Sequence, residues 1–138
     1  MQSDTHTAPV SKKVLWTGRI IGALPALFLL LDGVMKLFKP AVVVEGTVKL
    51  GYQETVIVPL GIVLLTCTVL YIVPRTSVLG AILLTGYLGG AVATHVRLGE
   101  GLFPISFPII LGLLIWGGLF LRDTRLRALI PLRKGEVA

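Results

Sequence analysis

A chain of 138 residues, 54% hydrophobic and only 14% charged, with a mean hydropathy of +0.89, has length for one domain and is too apolar for an ordinary water-soluble one. Its formal net charge of +6 sits at the ends of apolar runs instead of in a patch interleaved with aromatics, which argues against a nucleic-acid partner and for charges that orient membrane spans. A single cysteine, Cys67, excludes an intrachain disulfide.

Residues 1–16 form a polar tail that holds His6 and ends on Lys12, Lys13 and the approach to the first apolar run. Basic residues before an apolar stretch also describe a secretory signal. The run that follows is too long for one and carries Asp32 and Lys36, so it is a retained span. A helix needs about 20 apolar residues to cross a bilayer. Four segments meet that requirement, at about 17–38, 56–73, 77–98 and 103–121, within a transmembrane domain of residues 17–121.

Pro25 should bend the first span. The connector 39–55 opens with Pro40 and mixes valines with Glu45 and Lys49, which predicts a short element on the membrane surface. The next two connectors are tight, so spans 2, 3 and 4 should pack as antiparallel neighbours. Residues 122–138 form a basic tail. Leu126, Leu129 and Ile130 fall at helical spacing there, and Pro131 would stop the helix, which predicts a segment lying on an anionic leaflet or a disordered tail. The expected fold class is therefore all-α, an integral membrane four-helix bundle with a surface element and a basic C-terminal tail.

With both termini on one side, that side collects Lys12, Lys13, Arg19, Arg75, Arg122, Arg125, Arg127, Arg133 and Lys134, against Lys36, Lys39, Lys49 and Arg97 opposite. This asymmetry places both termini in the cytoplasm.

Ionisable residues at membrane depth are costly and mark candidate sites. Asp32 and Lys36 lie four apart on one helical face and can pair. Asp32 lies about 9 Å inside the outer end of its span. Span 3 runs the other way and brings His95 and Arg97 to the same end, where Tyr52, Gln53 and Glu54 enter span 2. Asp32, Lys36, Tyr52, His95 and Arg97 are thus the candidate ligand-binding cluster, an outward polar pocket or, alternatively, interhelical glue. His95 and Arg97 are about 200° apart on an ideal helix, and Arg97 shares a face with Gly86, Gly90 and Ala93, which favours Arg97 as the contact of Asp32.

Gly86-x-x-x-Gly90 and Gly89-x-x-x-Ala93 give span 3 two small faces, and Gly112, Gly117 and Gly118 give span 4 another, for close helix packing within the bundle or in a homodimer. No carboxylate and histidine spacing suggests a metal site, and the only histidines, His6 and His95, fall on opposite sides of the membrane. Tyr71, Tyr87, Trp16 and Trp116 are belt or packing aromatics. An aromatic wall beside the polar pocket would also suit a quinone ring.

The stretches LLDGVMKLF, LGYQ, IVPRTSVLGAILLTGYLGGAVATHVRLGE and WGGLFLRDTRLRALIPLR together resemble the DoxX-like family of small bacterial four-span membrane proteins. The resemblance implies a four-helix bundle in the bacterial cytoplasmic (inner) membrane, with Gly33, Lys36, Gly89, Gly90, His95 and Arg97 as matching positions. It also implies association with a membrane redox assembly. The leading expectation is an accessory or anchor subunit of such an assembly, with a quinone-like or other small molecule in the outer cluster and a redox partner protein. A structural or chaperone-like bundle without ligand is the alternative, and a small transporter a further one.

Overall fold

The computed structural model describes residues 11–129. Four helices are long and apolar enough to cross a membrane. They are α1 (Lys12–Phe38), α3 (Ile57–Ile72, entered through a 3-10 turn Glu54–Val56), α4 (Ser77–Arg97) and α5 (Leu102–Arg122). Between α1 and α3 lies the short helix α2 (Ala41–Lys49), and after α5 comes α6 (Thr124–Leu129). The expected surface element is thus a two-turn helix. The first span starts five residues before the sequence boundary at 17, because Ser11 caps it by accepting a hydrogen bond from the Val14 N–H at 3.3 Å. Pro25 stands inside α1, which continues through it to Phe38.

The stops are local. Lys39 takes a left-handed backbone (φ 52), donates its N–H to Met35 O, and hands the chain to Pro40. Ser77 and Thr76 donate their hydroxyls to Val73 and Leu70 carbonyls at 2.9 and 2.8 Å, which closes the α3–α4 turn.

The helices form a ring in the order α1, α3, α4, α5, with α1 packed between α3 and α5. Leu29, Leu64, Tyr71, Leu84, Ile115 and Leu119 form the centre of the core, all at most 2% exposed. The outer faces carry exposed Leu24, Leu27, Leu31, Ile62, Ile82 and Leu113. A water-soluble bundle would hide these side chains; a bilayer rewards their exposure. The protein is an integral membrane protein. One end of the bundle, the terminus end, holds the start of α1, the α3–α4 turn and α6, and the other, the α2 end, holds the opposite loops.

Glycine sets close helix approaches, at Gly118 as expected and otherwise at positions not singled out for packing. A Cβ on Gly18 would lie 2.9 Å from Gly118 O, and one on Gly118 would lie 2.6 Å from Gly22 N, so α1 and α5 meet backbone to backbone at the terminus end. α1 meets α3 at Gly33 and Gly61, where a Gly61 Cβ would lie 3.0 Å from Gly33 O. The assignment of Gly86, Gly89, Gly90 and Ala93 to packing inside the bundle is corrected: all four are exposed. A Cβ on any of the three glycines would meet nothing within 4 Å. Helical spacing places them on one side of α4, where none of the three glycines is in contact with a neighbouring helix.

The C-terminal reading is also modified. Leu126 is 6% exposed and belongs to the core cluster, so α6 docks on the bundle, while Leu129 is exposed. Ile130, Pro131, Arg133 and Lys134, like His6, lie outside the described residues.

Candidate functional site

The α2 end of the bundle is hollow. A cavity of about 420 Å³ lies among all four spans, with Asp32 and Lys36 from α1, Tyr52 from the loop, and Thr94 and His95 from α4 at its polar wall. Phe28, Leu60, Tyr87, Phe107 and Leu111 supply the apolar walls. Phe28 and Phe107 meet edge to face with ring centroids 5.1 Å apart. Because Phe28, Gly86 and Gly90 line the cavity and are themselves exposed, it opens at the flank of the bundle.

The charged pair predicted on α1 is formed: Lys36 Nζ donates to Asp32 Oδ2 at 2.5 Å. Lys36 is the more deeply sunk partner, 14% exposed against 34% for Asp32. The cause is Gly61 on α3, whose absent side chain leaves room for the Lys36 stem; a Cβ there would lie 2.8 Å from Lys36 Cβ. A helix crossing chosen for packing thus also directs the ammonium inward.

Tyr52 OH lies 2.8 Å from Thr94 Oγ1, which is 2.9 Å from Gly90 O. Thr94 has one proton and gives it to the Gly90 carbonyl, so Tyr52 donates to Thr94, and the lone pairs of the phenol remain to accept. His95 Nδ1 pairs with a carboxylate oxygen of Glu100. A carboxylate only accepts, so Nδ1 carries the proton, and Nε2 is the ring nitrogen left for another group.

Arg97 goes elsewhere. Its guanidinium donates from Nη2 to Leu50 O at 3.0 Å, passing over Gly51, whose left-handed backbone (φ +89) and missing side chain make the space. The expected Arg97–Asp32 contact is therefore corrected, and His95, not Arg97, shares the cavity with Asp32. The two side chains do diverge around α4, but His95 is the one that faces inward, because the Leu50 carbonyl that draws Arg97 away belongs to a loop whose position has no signature in the sequence.

Arg97 instead fastens a roof. Its bond to Leu50, the Tyr52–Thr94 bond and a 3.1 Å ion pair between Lys39 and Glu54 tie the α2 segment across the end of the bundle. Thr47, on α2, is buried against the cavity.

Of the four aromatics singled out from sequence, only Tyr87 lines the cavity. Tyr71 is buried near the other end and donates to Ile115 O at 3.0 Å. Trp116 ties α5 to α4 through a 2.7 Å bond to Thr85 Oγ1, and Trp16 is exposed beside Arg19. Thr94, Thr47 and Phe107 were not found from sequence. Thr94 alone had a signal, since it continues the Leu84, Leu88, Ala91 face of α4. No group of three or more metal-ligating side chains occurs among the described residues.

A model of the DoxX-like family matches residues 20–118, from the third turn of α1 to the last turns of α5. No curated protein and no solved structure matches the chain significantly.

Proposed function

The chain belongs to the DoxX-like family, and we propose that it serves a membrane redox assembly as an accessory or anchor subunit whose α2-end cavity takes a quinone-like small molecule. The observation that carries this reading is the cavity itself, about 420 Å³ of mostly apolar space with its polar groups gathered at one wall. That is the size and character of a site for a small amphipathic ligand. Lys36 has two ammonium protons beyond the one given to Asp32, and these suit an acceptor such as a quinone carbonyl. Tyr52 and the His95 Nε2 offer lone pairs that suit the hydroxyl of a reduced quinol. The flank opening beside Phe28 and Gly86 would admit a ligand dissolved in the bilayer. In this reading both termini face the cytoplasm of a bacterial cell and the α2 end faces outward.

Binding is tested with the full chain in nanodiscs, by titrating decyl-ubiquinone and following tryptophan quenching. Lys36→Met and Gly90→Leu should each weaken binding about tenfold, the loss of one strong polar contact or a comparable steric conflict. If both variants remain folded and bind as the parent does, the site assignment is wrong. A structural bundle without ligand is the second reading. It is favoured by the fact that Asp32, His95 and Arg97 already have protein partners in Lys36, Glu100 and the Leu50 carbonyl. That reading expects charge deletions to lower stability and to change nothing else.

A further inference from the structure

Among the described residues, the terminus end of the bundle carries an unanswered positive charge. A second cavity, of about 380 Å³, is lined there by Arg19 from α1 and by Arg122 and Arg125 around the α5–α6 junction, beside apolar Leu15, Ile72 and Leu119. The guanidinium of Arg122 lies over the Tyr71 ring, 4.9 Å from its centroid. Its Nη2 is buried with no hydrogen-bond partner among the described residues. A buried, charged donor without an acceptor is expensive, and native structures supply one.

Among the described residues, no acid supplies it. Asp32, Glu45, Glu54 and Glu100 all belong to the α2 end. Asp123 alone shares the cavity, and its Oδ1 is taken up capping α6 through the N–H groups of Arg125 and Leu126, at 2.9 and 3.1 Å. Among the described residues, no ion pair forms at this end. Arg127 is spent on the Phe120 and Leu121 carbonyls at 2.7 and 2.6 Å. Arg19, at 5.3 Å over Trp16, and Arg125 are not. Arg75 lines an adjoining cavity together with Arg125.

We propose that Arg19, Arg122 and Arg125 form a binding site for a phosphate group at the terminus end of the bundle. Guanidinium forks match phosphate oxygens in pairs, and stacking on an aromatic ring fixes their plane. The apolar residues beside the arginines and the exposed Trp16 put the site at the level where phospholipid headgroups meet acyl chains. Lipid headgroup phosphate and free phosphate share the required chemistry.

The test uses the full chain, delipidated in a neutral maltoside detergent. In one arm, phosphatidylglycerol and phosphatidylcholine are added in equal amounts and native mass spectrometry counts the retained lipid. In the other, melting is followed in sodium phosphate against sodium chloride at equal ionic strength. Arg19→Gln with Arg125→Gln changes two exposed side chains and should leave the fold intact, as checked by an unchanged melting temperature without ligand. At about 1 kcal/mol for each cation near an anionic surface, roughly a fivefold loss of binding is expected for each arginine removed.

Preferred retention of phosphatidylglycerol that the double variant loses supports the site with a lipid source. Stabilisation by phosphate alone, again lost in the double variant, supports it with a soluble source. Arg122→Lys, which keeps the charge and loses the fork, should fall between parent and double variant. No preference in either arm, or a preference that the double variant keeps, overturns the proposal.

Discussion

The two ends of this bundle use the same residue for opposite purposes. At the terminus end, Gly18, Gly22 and Gly118 let α1 and α5 touch backbone to backbone, and Tyr71 fills the space beside them. At the α2 end, Gly86 and Gly90 touch nothing and border a cavity. Glycine lowers the steric floor of a helix surface. Whether that produces contact or emptiness depends on the neighbour opposite.

The contrast is broken most directly by filling each kind of glycine in turn. Gly118→Leu should cost about 3 kcal/mol or more, because even its Cβ would lie 2.6 Å from Gly22 N and neither backbone can yield cheaply. Thermal unfolding in detergent reads this as a large fall in melting temperature, and an unchanged value would refute the close crossing. The same substitution at Gly90 meets open space and should leave melting unchanged.

Lys36→Met should be next in size. It leaves Asp32 charged and unpaired, and since Asp32 is 34% exposed the loss should be about 1–2 kcal/mol, below the 3–5 of a fully buried pair. Adding Asp32→Asn should recover part of that loss, so a double-mutant cycle by thermal unfolding that shows plain additivity would deny the pairing.

Tyr71→Phe removes the bond to Ile115 O and should cost about 0.6 kcal/mol, the usual scale for a hydrogen bond between membrane helices. Chemical unfolding in mixed micelles can resolve that difference. The smallest effect is expected at Arg97→Ala, within about 0.5 kcal/mol in global stability, with faster amide exchange confined to residues 50–54 as the roof loosens. Uniform exchange across the chain would show that Arg97 does not fasten the roof.

The fold was legible because lipid imposes a length and a hydropathy that few other structures share, and the Asp32–Lys36 pair because i and i+4 meet on any helix. Of the packing glycines, Gly118 was legible, whereas Gly18, Gly22, Gly33 and Gly61 were not. Gly18-x-x-x-Gly22 and Gly86-x-x-x-Gly90 carry the same spacing. Spacing states that two small residues share a face and leaves open which face meets a neighbour. Arg97 was misplaced for a related reason. Its partner is a main-chain carbonyl in a loop 47 residues away in sequence, and carbonyls carry no sequence signature.

α3, α4 and α5 are joined by short turns, whereas α1 closes the circle by packing against α3 and α5. During synthesis α1 leaves the ribosome first, and α5, its partner at Gly118, last. For most of that interval α1 has no finished bundle in which to hide a charge. The Asp32–Lys36 pair lies wholly within α1, so each charge travels with its counterion, and the helix is electrically neutral at that depth before any neighbour arrives. An interhelical pair would have left both charges bare to lipid while the chain was still being made.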